Sequence, residues 1–256
     1  MWFDSVGGQL YVQYKDPSTS ALSWVIANSP VAPGTSVGPG GLIGLQVFTT
    51  SGTYTPSTGM GRCIVECVGG GGGAAGMLGS ATYNDISAGG GSGGYARKFL
   101  LAATGGASQA VTIGAGGAGG VSGPSGNSGN PGGAGGDTSL GTLCIAKGGG
   151  GAVSGIGGGL GGSVTGAVGD LVSGGAPGDG GMIQSTTVGS ASNVGNGGSS
   201  VFGGGGRGPA AYGTAQTGSN ATNYGSGGGG AATGGNTTGW TGGNGSAGVV
   251  IITEYA

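Results

Sequence analysis

The chain has 256 residues, of which 77 are glycine and 9 are proline; only 5% are charged and the formal net charge is −2. This composition leaves too few large apolar side chains for one conventional core of that length. It also excludes long helices, since glycine costs about 1 kcal/mol per helical position, and no apolar stretch approaches the ~20 residues of a membrane-spanning helix.

Residues 1–29, MWFDSVGGQLYVQYKDPSTSALSWVIANS, differ in composition from the rest. Gly7-Gly8 is a hairpin signal between a strand at Trp2-Phe3-Asp4 and a second at Gln9–Tyr14. The polar turn from Lys15 to Ser20 leads to a third strand, Ser23–Ile26. Three short strands are marginal alone, so this piece is expected to self-associate or to dock on a partner. Trp2, Phe3, Tyr11 and Trp24 are the candidate docking residues. The start of the chain has neither a basic region nor an apolar one, so no secretory signal is expected.

WFDSVGGQLYVQYKD and the following SWV resemble the small LWFDS–GQLYVYYxD–SSQWV module of bacteriophage tail fibres and related virion proteins. The resemblance implies a structural segment that leads the chain toward a distal domain. Met1 stands where that family continues upstream, so the long fibre shaft is expected to be missing.

Residues 30–44, PVAPGTSVGPGGLIG, read as a Pro/Gly linker. Residues 45–256 form a glycine-rich body. Its β-branched runs are bounded by glycine and read as strands: Gln46–Thr49, Cys63–Val68, Tyr95–Leu101, Gln109–Ile113, Thr142–Ala146 and Gly248–Tyr255. The last run must return to pair with the early ones, because a free apolar edge invites aggregation. The expected fold is therefore mostly β and irregular, with no α-helix of note. A small N-terminal β module precedes a β-sandwich-like base that carries glycine-rich loops.

Those loops have a period. Glycines stand at every third position from 114 to 135, and the spacing returns at 155–161, 175–181 and 239–248. Three residues per turn is the polyproline-II geometry, which has no internal hydrogen bonds. Its amides and carbonyls must pair with neighbours. The expectation is a bundle of polyglycine-type helices bonded side to side, with residues 114–135 as one of them; flexible glycine loops are the alternative.

CIVECVGGGGGAAG, GGYARKFL, VTIGAGGAGG, CIAKGGGGA and GGNGSAGVVIITEY, in that order, resemble the glycine-rich domain at the tips of many phage tail fibres and adhesins. The resemblance implies a receptor-facing domain on a virion, made in the host cytoplasm and acting outside the target cell. Other phage tail proteins are the expected partners and a homotrimer the expected assembly, with a single cap on another fibre as the alternative.

Chemistry has little to work with. Histidine is absent, which removes the commonest general base and metal ligand. Cys63, Cys67 and Cys144 are an odd set, read as buried thiols; neither a metal site nor a cofactor is expected. Residues 114–119 match GxGxxG, but the sequence that follows cannot form the helix a dinucleotide fold requires. The six basic residues form no stripe for nucleic acid. Tyr212, Tyr224 and Trp240 stand among Ser, Thr, Asn and Gly, the composition of adaptable recognition loops. They are the candidate receptor-binding residues, for a host glycan or outer-membrane protein, and no membrane insertion is expected. The reading is a non-enzymatic fibre or adhesin protein; the alternative is a structural virion decoration without a receptor.

Overall fold

The structure, a computed structural model, describes residues 2–4, 9–15, 22–26, 40–78, 86–123, 129–153, 157–183, 192–211, 216–232 and 239–256. Near the start of the chain, β1 (Trp2–Asp4), β2 (Gln9–Lys15) and β3 (Leu22–Ile26) form an antiparallel sheet. Trp2 is level with Tyr11, Tyr11 with Ile26, and Gln13 with Trp24.

The alternation in RCIVECV separates two environments. Cys63, Val65 and Cys67 are buried, while Arg62, Ile64 and Glu66 are half-buried. This run is β6 (Arg62–Val68), the centre of the base. The chain reaches it through β4 (Leu42–Phe48) and β5 (Gly52–Tyr54). β4 starts at Leu42, so the sheet takes up the last residues of the Pro/Gly stretch. After β6 come β7 (Tyr95–Leu101), the single-turn helix α1 (Ala102–Gly105) and β8 (Gln109–Thr112). β9 (Thr138–Leu140), β10 (Cys144–Ala146) and β11 (Leu171–Ser173) follow. Met182–Ile183, Ser192–Asn193 and Ala210–Ala211 (β12, β13 and β14) form a small separate sheet, and β15 (Val249–Tyr255) ends the series.

β15 does return, as expected, and pairs with both β6 and β4. Two antiparallel sheets, β11-β7-β6-β15-β4 and β10-β9-β8-β5, face each other. Tyr54, Val65, Leu100, Val111, Leu140, Val250 and Ile252 fill the space between them. The hairpin of β9 and β10 replaces the single strand read at Thr142–Ala146.

Glu254 is fully buried in this base. Its carboxylate accepts from Tyr54 Oη (2.7 Å), Ser57 N (3.0 Å), Ser57 Oγ (2.6 Å) and Gln46 Nε2 (3.4 Å). Burial pushes the carboxyl up, but these bonds together outweigh it and hold it below its ordinary range. Burial, with the bond to Glu254, pushes the Tyr54 hydroxyl up.

The glycine-rich segments leave the base as extended helices whose bonds repeat every third residue. In residues 69–77, the amides of 69, 72 and 75 donate to 94, 91 and 88; those of 70, 73 and 76 donate to 136, 133 and 130; those of 71, 74 and 77 donate to 246, 243 and 240. One helix therefore donates in three directions, as three residues per turn require. Its carbonyls accept from residues 147–153, 113–123 and 225–232 in the other three directions. Residues 86–94 and 225–232 are enclosed in the same way, and all three segments are buried.

These three mutually bonded segments are ringed by nine others: 113–123, 129–137, 147–153, 157–163, 174–181, 194–200, 203–208, 216–222 and 239–248. Each ring member bonds the next in that order, and 239–248 closes the ring on 113–123. The described residues thus form a hexagonal array of twelve polyglycine-type helices. The one helix expected over residues 114–135 is instead two antiparallel members of the ring, bonded through Asn130 to Val121 and Gly133 to Ala118. The period of three passes through the reversal without a break, so the spacing alone hid it. Residues 124–128, including Gly126, lie outside the described residues.

A Cβ on Gly73 would sit 2.0 Å from the Ala118 carbonyl oxygen, whereas one on Gly204 meets nothing within 4 Å. We expect Gly73→Ala to break about three backbone bonds at about 1 kcal/mol each, lowering the melting temperature by about 6–12 °C. Gly204→Ala should stay within about 0.5 kcal/mol of the parent; equal melting of the two variants would refute the close packing.

Glu254 supplies a pH prediction. Its folded pKa lies below the unfolded value of about 4.3, so its contribution is present above that value and lost as pH falls through the folded one. Glu254→Gln turns an N–H₂ toward groups that donate. It should lower stability at neutral pH by about 2 kcal/mol and flatten the acid limb of a urea-unfolding series. An unchanged acid limb would show that another group titrates.

Candidate functional site

The array has two distinct ends. Residues 69 and 94 lie against the base, since β6 runs directly into 69–77 and 86–94 runs directly into β7. The described chain leaves the opposite end at 78, 123, 153, 183, 211 and 232 and returns at 86, 129, 157, 192, 216 and 239. At about 3.1 Å per residue the two ends are about 25 Å apart.

Trp240 lies at the end remote from the base, where its backbone pairs with Met77. It is half-buried, and its indole N–H is enclosed with no acceptor among the described residues. Tyr224 lies at the base end, next to Gly225, whose N–H bonds Ala247 and whose carbonyl accepts from Gly93. The Tyr224 ring, 40% exposed, meets Phe202 edge-on with centroids 6.4 Å apart. The structure therefore does not bring Tyr224 and Trp240 together. Tyr212 lies outside the described residues. Trp2, Phe3, Tyr11 and Trp24 are placed in strands β1, β2 and β3.

Several of the described titratable groups are engaged in structure. Lys98 binds Asp170 at 2.6 Å, and that bond with the Phe99 amide holds the Asp170 carboxyl below its usual range. At Asp137, burial raises the pKa, but Lys147 and the Gly148 amide outweigh it and lower it. Cys67 donates weakly to the Cys144 carbonyl, and its thiol is pushed up by its Cys144 neighbour and by burial. All three cysteines are free and buried.

Two concave places among the described residues bear on a site. A pocket of about 260 Å³ on the outer face of the larger sheet is lined by Ile64, Arg97, Phe99, Asp170 and Leu171. A groove of about 390 Å³ runs on the flank of the array, lined by Gly119, Thr217, Gly218, Asn220, Thr241, Gly242 and Asn244. The weight given to aromatic residues passes over this groove. Its signal is the repeat Thr217-Gly-Ser-Asn220 and Thr241-Gly-Gly-Asn244. At three residues per turn, each Thr and its Asn face the same way.

A family model described as a glycine-rich domain matches residues 48–255. No curated protein matches the chain. With most of its length so matched, the chain belongs to the glycine-rich domain family.

Proposed function

We propose that this member of the glycine-rich domain family is a non-enzymatic bacteriophage fibre or adhesin protein, a distal tail-fibre component that attaches the virion to the host surface. The observation that carries the reading is the polarity of the array. The chain from the N-terminal module arrives at the base, where the Gly40 amide donates to the Ala256 carbonyl. The chain reversals at the other end stand about 25 Å away. A fibre tip needs this arrangement: one end for assembly, the other for contact.

The N-terminal β module attaches to other tail proteins, in a homotrimeric assembly. The contact end takes a host glycan or an outer-membrane protein. Trp240 belongs to that end. A purely structural decoration is the second reading; the enclosed indole of Trp240 favours it, because a ring used for packing is not available for a receptor.

Aromatic hot spots commonly contribute about 2 kcal/mol or more. Trp240→Ala should therefore reduce adsorption of purified protein to host cells about thirtyfold, while Tyr224→Ala leaves adsorption intact and lowers the melting temperature slightly through the lost contact with Phe202. If Trp240→Ala melts early and adsorbs normally, Trp240 is a packing residue and the receptor contact lies elsewhere; if the parent protein itself fails to adsorb, the decoration reading takes its place.

A further inference from the structure

Residues 216–222, 239–248 and 113–123 lie side by side, joined by bonds from Gly218 to Thr241, Ala221 to Asn244, Gly242 to Gly120 and Gly245 to Gly117. The middle segment touches two of the three enclosed helices, so the three form a straight row and a flat flank. Residues 216–222 and 239–248 run parallel, which sets Thr217 level with Thr241 and Asn220 level with Asn244.

Two backbone amides of this flank are satisfied by side chains. The Asn244 amide donates to Asn220 Oδ1 at 2.8 Å, and the Gly119 amide donates to Asn244 Oδ1 at 2.7 Å. Because each Oδ1 accepts a backbone N–H, each carboxamide is locked in one orientation. Both Nδ2 groups keep their donors for other acceptors. The Thr217 and Thr241 hydroxyls and the Thr217, Asn220 and Thr241 amides have no partner among the described residues. All four side chains are exposed, and among the described residues no charged one lines the groove.

We propose that this groove binds a neutral oligosaccharide. The inference names the ligand class of the host-attachment function proposed above, and rests on that reading for its biological setting. A sugar chain offers what the groove lacks: a row of hydroxyls that can both donate and accept. The carboxamides of Asn220 and Asn244 are held by side-chain bonds before any ligand arrives, and the array fixes the backbone that carries Thr217 and Thr241, so little ordering opposes binding. Without a charge in the groove, an anionic sugar has no counter-ion there. Arg207 sits one segment away, on residues 203–208, and does not line it. A thirteenth glycine helix is a poorer occupant, because the side chains of Thr217, Asn220, Thr241 and Asn244 fill the position its backbone would need.

The test uses the full chain on an array of neutral hexose and N-acetylhexosamine oligosaccharides, with acidic oligosaccharides and a glycine-rich peptide as comparators. The expected result is binding to at least one neutral oligosaccharide, with NMR shifts of the Asn220 and Asn244 side-chain amides. The double variant Thr217→Val/Thr241→Val should lose at least tenfold in affinity at unchanged melting temperature. Binding of the variant equal to the parent, selective binding of acidic sugars or of the peptide, or no binding on the array would each overturn the proposal. Adsorption to host cells is measured in parallel. Adsorption that survives in the double variant counts against the groove and leaves host attachment standing. Oligosaccharide binding without adsorption to any cell supports the groove and counts against host attachment.

Discussion

A helix enclosed by six others of its kind has no room for a side chain on most of its length. That steric limit governs this protein. At Gly73 the backbone of residues 113–123 already occupies the place of a Cβ, and residues 69–77, 86–94 and 225–232 are all held to it. The side chains inside are few and mostly small, among them Ala74, Ala75, Ala88, Ala231 and Ala232, so apolar burial contributes little to holding the array together. Backbone bonds in six directions take over that role, in place of the two directions available to a strand. The entropy lost in ordering glycine is offset by dense backbone bonding, complete for the amides of residues 69–77. Where the lattice cannot supply a partner, a small side chain does. Ser87 Oγ accepts from the Ala231 amide and donates to the Ala75 carbonyl, completing a column the backbone leaves open.

The base makes the array possible by fixing where its members start. The antiparallel pairing of β6 with β7 continues without interruption into the bonds from 69 to 94, 72 to 91 and 75 to 88. β8 leads into 113–123, 129–137 leads into β9, and 239–248 leads into β15. Few segments therefore have to find their place unaided. The large buried apolar residues are concentrated in the sandwich, with Met77, Ile86 and Val194 as the larger ones buried in the array.

Much of this was legible in the residues. Cys63–Val68 and Val249–Tyr255 alternate or run apolar between glycines, and β-branched residues at that spacing have few other uses. The glycine period pointed to three residues per turn. The direction of the chain was not legible, because Gly-X-X reads the same across the reversal between 123 and 129. The short strands Gly52–Tyr54 and Leu171–Ser173 were missed as well, since their pairing, not their composition, defines them. For the candidate sites, the sequence brought Tyr224 and Trp240 into one loop-like stretch. A rigid helix between them, residues 225–232, sets them at opposite ends. The Thr/Asn groove depends on two segments lying parallel, which no local pattern encodes.

The pairing of β4 with β15 also defines a path for mechanical load. The Gly40 amide bonds the Ala256 carbonyl, and six paired positions follow from Leu42–Tyr255 to Phe48–Val250. A pull on the chain before Gly40, resisted at the remote end of the array, acts along these two strands. Their hydrogen bonds lie across the force and must yield together, not one after another. From β15 the load passes into residues 239–248, and from there into the columns of backbone bonds around them. Tension thus spreads over the cross-section before it reaches any single glycine segment. The molecule is built as a tie rod as much as a scaffold.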